Sequence, residues 1–457
     1  MYQLEDTIAA IATPSGMGGI GIVRVSGDAA IPAASQVFIL KNSKPILRRR
    51  QVLFGKIKDS RTGEILDEGI LLVMPKPHSY TTEDVVEFHV HGSPPVLEKL
   101  MEALVALGMR PAEPGEFTYR AFLNGRLDLT QAEAVEALVS SQGEAARRQA
   151  LRQLTGGLAA HLEPLEEALK SLYLKIEARL EFSEDGIPVL DVGKFEKEVG
   201  MVQTELRKLL ESYQQGKVIR EGLAVALVGP PNVGKSSLLN TLLGTQKAIV
   251  TPLAGTTRDV VEGDILLKGI KVRLFDTAGL QQATNVVEEE GIRRSRQVIE
   301  EADALFWIMD CSEIKASLNE WRKNKLPRDR TWFLFNKKDL TKFERPWVET
   351  ELPPERCFSL SCLTKEGLED VVKILENLVQ SPLGAQEVVL TSIRHQEEAQ
   401  KAFTALESLK GMMAKKEPFD MWAEELREAT LALGRIRGRN LLVSAFEEIF
   451  TKFCIGK

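Results

Sequence analysis

The 457 residues read as an α/β plus α protein: an N-terminal α+β domain, a helical domain split in sequence, and an inserted domain with a mostly parallel sheet. Three observations predict this. From Leu223 onward, short apolar runs alternate with helical stretches and end in turn-rich segments, the pattern of buried parallel strands joined by crossover helices. On either side, from Asp128 to about Gln215 and again beyond Pro382, apolar residues recur at three- and four-residue spacing. Upstream of both, residues 1 to about 120 mix short β-like runs with one helical stretch.

Taken in order, the N-terminal β-like runs are GIGIVRVSG, DEGILLVMP and DVVEFHVHG, with a helix expected near Val96 to Leu107. AEAVEALVSS and PLEEALKSLYLKIEARLEF read as helices, with a break over Ser183 to Gly193. The strands of the inserted domain are LAVALVG, KVRLFDT, ALFWIMD, WFLFNKKD and CFSLS. Helices return in HQEEAQKAFTALESLKGMM, MWAEELREATLALG and SAFEEIFTKFC. The expected domains are therefore 1–120, 121–218, 219–381 and 382–457, the second and fourth forming one helical domain. Such an insertion is tolerated when its two boundaries lie close together on a surface.

Composition narrows the function classes. With 44% hydrophobic and 27% charged residues, the chain has enough apolar content for real cores. No apolar run is long enough to cross a bilayer, and MYQLEDTIAA lacks the basic and apolar regions of a signal peptide. Cys311, Cys357, Cys362 and Cys454 are too scattered for a disulfide framework or a CxxC metal site, which fits a reduced, cytoplasmic protein. A net charge of -6 argues against binding nucleic acid by bulk attraction, so RNA contact needs a local patch or a partner.

GPPNVGKSS follows LAVALVG directly and opens the helical run SSLLNTLLG. It matches GxxxxGK[ST], with Gly229, Gly234, Lys235 and Ser236 in place. The backbone amides of such a loop point at phosphate oxygens beside a helix N-terminus. Asn232, Val233 and Ser237 complete the stretch expected to hold nucleotide. Lys235 would reach the β- and γ-phosphates, and the Ser236 hydroxyl would bind magnesium.

Three more segments follow in the required order. DTAG, with Asp276, Thr277, Ala278 and Gly279, ends a strand; Asp276 would hold the magnesium shell through water, and the Gly279 amide would sense the γ-phosphate. NKKD, with Asn336, Lys337 and Asp339, ends another. Asp339 would accept hydrogen bonds from guanine N1–H and the exocyclic amine, a pair adenine does not offer, and a buried carboxylate left unpaired is costly. Ser361, Cys362 and Leu363 end the last strand, where backbone amides would meet guanine O6. GTTRD, from Gly255 to Asp259, lies between cradle and DTAG, with Thr257 as the second magnesium hydroxyl. Each short segment alone would also serve as a strand-end turn. The ordered set, at the strand edge where open α/β sheets bind ligands, points to GTP.

Ras-type proteins orient the attacking water with a glutamine directly after DTAG. Here Leu280 stands in that place, with Gln281 and Gln282 close by and VEEEG, Val287 to Gly291, further on. Glu288, Glu289 and Glu290 read equally as the acidic first turn of a helix.

The whole chain resembles the MnmE (TrmE) family of tRNA-modification GTPases. The resemblance is carried by ATPSGMGGIGIVRVSG, PGEFTYRAFLNGRLDLTQAEAV at Pro114 to Val135, GPPNVGKSSLLN, TPLAGTTRD, DTAGL and the terminal FCIGK. It implies a potassium site at Asn232, Thr251, Leu253 and Thr256, supplying charge where Ras-type proteins use an arginine finger, worth about 10³ to 10⁵ in rate. It singles out Glu288 as the water-orienting residue. It puts a tetrahydrofolate derivative, 5,10-methylene or 5-formyl, at Arg24, Glu87, Arg126 and Lys457, with Glu87 toward the pterin and the arginines toward the glutamate-tail carboxylates. Cys454, otherwise a small buried anchor for the last helix, gains a chemical role, with Gly456 giving the tail reach. The resemblance also implies a homodimer through the N-terminal domain and a heterotetramer with an MnmG-type flavoprotein that carries the FAD. The reaction implied is addition of a carboxymethylaminomethyl-type group to C5 of the wobble uridine of certain tRNAs.

Two stretches depart from the family pattern. His91-Gly92-Ser93 replaces HGG, and GRIRGRN replaces a GxITGE-like stretch before the tail. Its arginines, Arg435, Arg437 and Arg439, offer either the basic patch that the net charge lacks or a solvated helix face. Gly16 to Gly21 match GxGxxG but have no strand expected before them and a strand rather than a helix after them, so dinucleotide binding is not expected there. His89 and His91 share one strand face without a third ligand and do not read as a metal site. The rival function is an RNA- or ribosome-assembly switch that uses GTP only to order and release loops. Such a switch needs neither PGEFTYRAFLNGRLDL nor the CIGK ending.

Overall fold

The β-like runs at the N-terminus are strands, but short or polar neighbours join them. The computed structural model describes residues 5–40, 49–181, 190–245, 261–277, 286–340, 347, 351–379, 388–441, 446, 449–451 and 453–456. They divide into two units, one built from residues 1–140, 150–207 and 397–457, the other from 141–149 and 208–396.

In the first unit, β1 (Ile8–Ile11), β2 (Gly18–Ser26), α1 (Ala30–Val37), β3 (Phe38–Ile39), β4 (Gln51–Lys58), β5 (Ile65–Met74), β6 (Val85–Gly92), α2 (Pro94–Ala106) and β7 (Arg110–Pro111) follow one another. The strands form one sheet in the order β3-β4-β5-β6-β2-β1-β7. It is antiparallel except for the β1–β7 pair. Alternation puts Val23, Val25, Leu71, Val73, Val86 and Phe88 on one face, where Ala30 and Ala33 of α1 and Leu97, Leu100 and Leu104 of α2 complete the core. The intervening residues occupy the other face, where Arg24 lies opposite Glu87, and Glu87 opposite Leu72. A strand therefore does precede the Gly16–Gly21 run, contrary to expectation; β1 is short and its IAAI carries no alternation to mark it. The run leads into β2, with no helix N-terminus after it.

The same unit continues with α3 (Glu116–Leu123), α4 (Leu129–Ser140), α5 (Glu144–Leu154), α6 (Gly157–Glu181) and α7 (Val192–Glu221), the last residues of α7 and the first of α5 belonging to the second unit. Helix α6 buries Leu158, Leu162, Leu165, Leu169, Leu172 and Ile176, a stripe at three- and four-residue spacing. Phe195 of α7 stacks with Trp422, their ring centroids 6.0 Å apart. The expected break at Ser183 to Gly193 falls largely outside the described residues.

In the second unit the chain runs β8 (Leu223–Val228), α8 (Lys235–Thr245), β9 (Val261–Leu267), β10 (Ile270–Asp276), α9 (Val286–Glu301), β11 (Ala304–Asp310), α10 (Ile314–Asn324), β12 (Thr331–Asn336), β13 (Cys357–Ser359) and α11 (Leu368–Val379). The sheet order is β13-β12-β11-β8-β10-β9, all parallel except β9. β8 and β11 are buried at every position, as central strands covered on both faces must be, and this is why they read as unbroken apolar runs. Separate apolar clusters fill the two faces, one around Leu227, Leu238 and Leu274, the other around Trp307, Phe333 and Phe335. The first turn of α5 belongs here: the Gly269 carbonyl, in the β9–β10 turn, accepts the Ala145 N–H at 3.1 Å. That bond satisfies one of the helix's four orphan donors. Gly143 approaches so closely that an added Cβ would lie 2.4 Å from the Gly269 oxygen.

The last helices are α12 (Ile393–Lys415) and α13 (Phe419–Ile436). The arginines of GRIRGRN, Arg435 in the last turn of α13 and Arg437 and Arg439 after it, are paired with acids, although Arg439 stays exposed. Arg435 pairs with Glu398 and Glu428, and Arg437 and Arg439 converge on Glu166 of α6 at 3.4 and 2.8 Å. Glu166 is buried, and that desolvation raises its pKa despite the two arginines. The sequence shows three charges; it does not show that acids of α6, α12 and α13 stand at their height.

Candidate functional site

The five parallel strands of the inserted sheet end at one edge, and the motif residues collect there. Val228 closes β8, the GPPNVG turn follows, and Lys235 opens α8. Gly234 has φ +101°, and a Cβ there would lie 2.2 Å from the Asn336 amide nitrogen. Glycine is thus required by both conformation and space. The Lys235 ammonium donates to the carbonyls of Gly229 and Pro230 at 3.0 and 2.9 Å. Burial pushes it below the ordinary lysine range, while Asp276 and Glu320 pull the other way. Ser236 Oγ donates to the Asp276 carboxylate, so the hydroxyl and the acid expected to share a magnesium shell already touch.

Asn336 ties the GPPNVG loop to the loop after β13. Its amide donates to the Val233 carbonyl at 2.7 Å, and its oxygen accepts the Cys362 N–H at 3.1 Å. Asp339 accepts from Ser361 Oγ, which also accepts the Thr364 N–H. Lys337 pairs with Asp310 at 2.6 Å. Burial opposes the Asp310 charge, but hydrogen bonds from Lys337 and Ser312 outweigh it and hold the carboxyl below its usual range. Burial lifts the Cys362 thiol to about 11, so the thiol itself stays protonated. Thr277 is buried, its N–H and hydroxyl both donating to the Leu227 carbonyl. Leu363 is exposed, and Ser237 sits in the first turn of α8. Thr251, Leu253, Thr256, Thr257, Ala278, Gly279, Leu280, Gln281 and Gln282 lie outside the described residues, as does the side chain of Glu288 in α9. Of the expected potassium set only Asn232 is described, with φ +61°.

A second cluster lies on the outward face of the N-terminal sheet. Arg24 Nε donates to Glu87 at 2.8 Å, and His89 Nε2 lies 3.2 Å from the other Glu87 oxygen. Arg126 donates to the Tyr80 carbonyl at 3.1 Å and stacks over its ring. Arg24, Glu87 and Arg126 thus come together, although Arg24 and Glu87 meet each other and so face the same part of any ligand. Lys457 lies outside the described residues. Sequence reading missed Tyr80, His89 as a member of this cluster, and the bridging work of Asn336; SYTTED carries no signal of its own.

The tail is docked rather than free. Phe450 and Phe453 join Tyr119, Phe122 and Phe446 in an apolar cluster. The Gly115 N–H donates to the Cys454 carbonyl at 3.4 Å, and Arg24 Nη1 to the Gly456 carbonyl at 3.1 Å. Gly456, with φ +88°, lies against β1, where a Cβ would come within 2.9 Å of Ala12. It provides fit, not the reach expected of it. Cys454 is exposed, which removes the reading of a buried anchor; the neighbouring phenylalanines do the anchoring.

Comparisons with known proteins agree along the whole chain. Residues 7–126 match the family described as the GTP-binding protein TrmE N-terminus, and residues 129–454 match the MnmE helical domain. The chain is 40% identical over 463 residues to the tRNA modification GTPase MnmE of Carboxydothermus hydrogenoformans, covering 100% of each. It is 41% identical over 457 residues to the tRNA modification GTPase MnmE of Thermus thermophilus, again covering 100% of each. Among solved structures, the G domain of the T. maritima FeoB iron transporter matches at 27% identity and TM-score 0.28, covering 35% of this chain and 99% of that one. Two family matches that together span nearly all of the sequence, and relatives aligned from end to end, lead to one assignment: the chain belongs to the MnmE family of tRNA modification GTPases.

Proposed function

We propose that this chain hydrolyses GTP at the strand-end cradle and uses that cycle, in the cytoplasm, to drive modification of tRNA. The proposed product is a carboxymethylaminomethyl-type group on C5 of the wobble uridine, made with an MnmG-type flavoprotein that carries FAD. The observation that carries the GTP half is Asn336, whose side chain binds the phosphate loop and the Cys362 loop at once, so both ends belong to one pocket. The domains acting are 1–120 for folate binding and homodimer formation, 219–381 for GTP, and 121–218 with 382–457 as the helical support.

The donor sets fit the groups they are assigned. Ser236 and Asp276 offer a hydroxyl beside a carboxylate, the oxygen ligands magnesium takes, with Thr257 as the second hydroxyl. Asn232, with Thr251, Leu253 and Thr256, is assigned to potassium. Arg24, Glu87 and Arg126 around the Tyr80 ring suit a planar, carboxylate-bearing molecule such as 5,10-methylene- or 5-formyl-tetrahydrofolate, with Lys457 as a further cation. When bound, the two cations supply positive charge where negative charge builds on the transferred phosphoryl, and the folate supplies a one-carbon unit.

The chain's own residues do the rest. Lys235 exchanges its two carbonyl partners for β- and γ-phosphate oxygens, and its burial makes that charge count for more. Val233, Gly234, Ser237, Thr277, Ala278 and Gly279 line the phosphates. Asp339, Lys337, Ser361, Cys362 and Leu363 line the base, with Asp339 choosing guanine. Glu288 orients the attacking water. Cys454 acts in the modification step, held at the Arg24 cluster by the docked tail.

Nucleoside mass spectrometry of tRNA from cells lacking the protein tests the reading. Loss of the modified wobble uridine is expected; unchanged wobble uridines would favour the assembly switch instead. Turnover compared in potassium and sodium chloride at equal ionic strength tests the cation: faster hydrolysis in potassium is expected, and equal rates remove the Asn232 assignment.

A further inference from the structure

Tyr80 belongs to no motif, yet two of the three described folate-site residues lean on it. The Arg24 and Arg126 guanidinium carbons lie 5.6 and 4.7 Å from its ring centroid. Its hydroxyl lies 2.9 Å from Thr118 Oγ1, and Thr118 is fully buried in α3. The ring is thereby fixed from behind by the PGEFTYRAF stretch.

The two arginines differ in everything else. Arg24 is paired with Glu87 at 2.8 Å, donates to the Gly456 carbonyl and lies 5.6 Å from a second ring, Phe117. Its charge is already compensated. Arg126 is exposed, and among the described residues its side chain's partner is Tyr80 alone, through the backbone carbonyl and the ring face. It keeps its charge and most of its donors for something else. A long side chain recruited to a ligand from free solution loses rotamer freedom on binding, and a contact that holds it in place beforehand removes part of that cost.

We propose that Tyr80 is a positioning residue that holds Arg126 as the carboxylate-binding arm of the site, leaving the Arg24–Glu87 pair, a donor beside an acceptor, to meet the pterin. This rests on the folate reading and corrects one part of it: the two arginines serve different ends of the ligand. An aromatic face under an exposed guanidinium contributes a few-fold in affinity.

Equilibrium titration of the full-length protein with 5-formyl-tetrahydrofolate, and with the corresponding pteroamide, in which a plain amide replaces the glutamate and no carboxylate remains, reads this out. Tyr80→Leu is expected to weaken folate binding about five-fold and leave pteroamide binding unchanged. Tyr80→Phe, which keeps the ring, retains most of the folate affinity. Arg126→Gln loses more, and adding Tyr80→Leu to it costs nothing further, because the ring then has no arm to hold. Thermal melts of each variant report whether the fold is intact. Wild-type folate affinity in a folded Tyr80→Leu variant overturns the proposal, and so does equal loss of folate and pteroamide, which marks a ring that stacks on the ligand or supports the fold. A wild-type protein that binds neither compound overturns the folate reading itself, and the proposal with it.

Discussion

The GTP cradle and the Arg24–Arg126 cluster, the proposed folate site, hold charged groups in place by opposite routes. In the cradle, backbone does most of the work. Lys235 and Ser236 open α8, Asp276 and Asn336 end β10 and β12, and Asp339 follows β12; each is bonded to another motif residue or to a loop carbonyl. In the cluster, side chains do the work, gathered from Arg24, Tyr80, Glu87, Arg126 and the tail at Gly456, and stacked on a ring. A site made of backbone must be written as contiguous sequence, because every residue of the turn matters. A site made of distant side chains leaves single letters scattered along the chain.

The difference also sets how failure should spread. Lys235→Ala should lower GTP turnover by about 10²- to 10³-fold, the scale for removing one preorganised donor from a charged transition state. It should abolish wobble-uridine modification as well, while folate binding stays intact. Steady-state GTP hydrolysis and nucleoside mass spectrometry measure both; modification that continues without hydrolysis would break the proposed order of the two regions. Cys454→Ser should do the converse, ending modification while GTP turnover stays near wild type, since the cradle draws nothing from the tail. A variant that modifies tRNA normally would make Cys454 structural, and one that also loses hydrolysis would place the tail in the support of both regions.

The smallest effect concerns acid. Burial opposes the charge of Asp6, but hydrogen bonds and attraction from Arg110 and Arg120 prevail and lower its pKa. A lowered carboxyl contributes stability that is present above its unfolded pKa of about 3.9 and lost as pH falls through the folded value. Asp6→Asn should therefore cost about 1 to 2 kcal/mol at neutral pH, with the gap to wild type closing below about pH 4. Denaturant melts followed by circular dichroism across that range check it; a gap independent of pH would mean that the charge contributes nothing.

Legibility followed the same division. β8, β11 and β12 were readable because burial on both faces forces nearly continuous apolar runs, and β10 and β13 from their place in the alternating strand–helix order; β9, the antiparallel edge, was not. β1, β4 and α1 escaped notice because IAAI is too short and QVLFGKIK mixes polar residues and a glycine into an outer strand. Arg24, Glu87 and Arg126 came from family likeness alone; nothing in their neighbours' chemistry marks them. Tyr80 came from neither route, since its importance lies in what folds onto it. Arg437 and Arg439 misled for the same reason: a charge run looks solvated until the acid that faces it, here Glu166 on another helix, is known.

The Ala145–Gly269 bond bears on how the protein can be taken apart. Residues 141–149 belong to the GTPase unit although more than fifty positions of chain separate them from Lys208, where it resumes. A fragment begun at Lys208 would lose the Ala145 amide from the Gly269 carbonyl, the Gly143 backbone from beside Leu266, and the Gln149 amide from the Val389 carbonyl. Its β9–β10 turn would meet water where the intact chain supplies a helix start. Kinetic constants obtained from such an excised piece would describe a sheet with one corner uncapped, whereas a peptide of residues 141–149 added in trans would be the reagent that restores it.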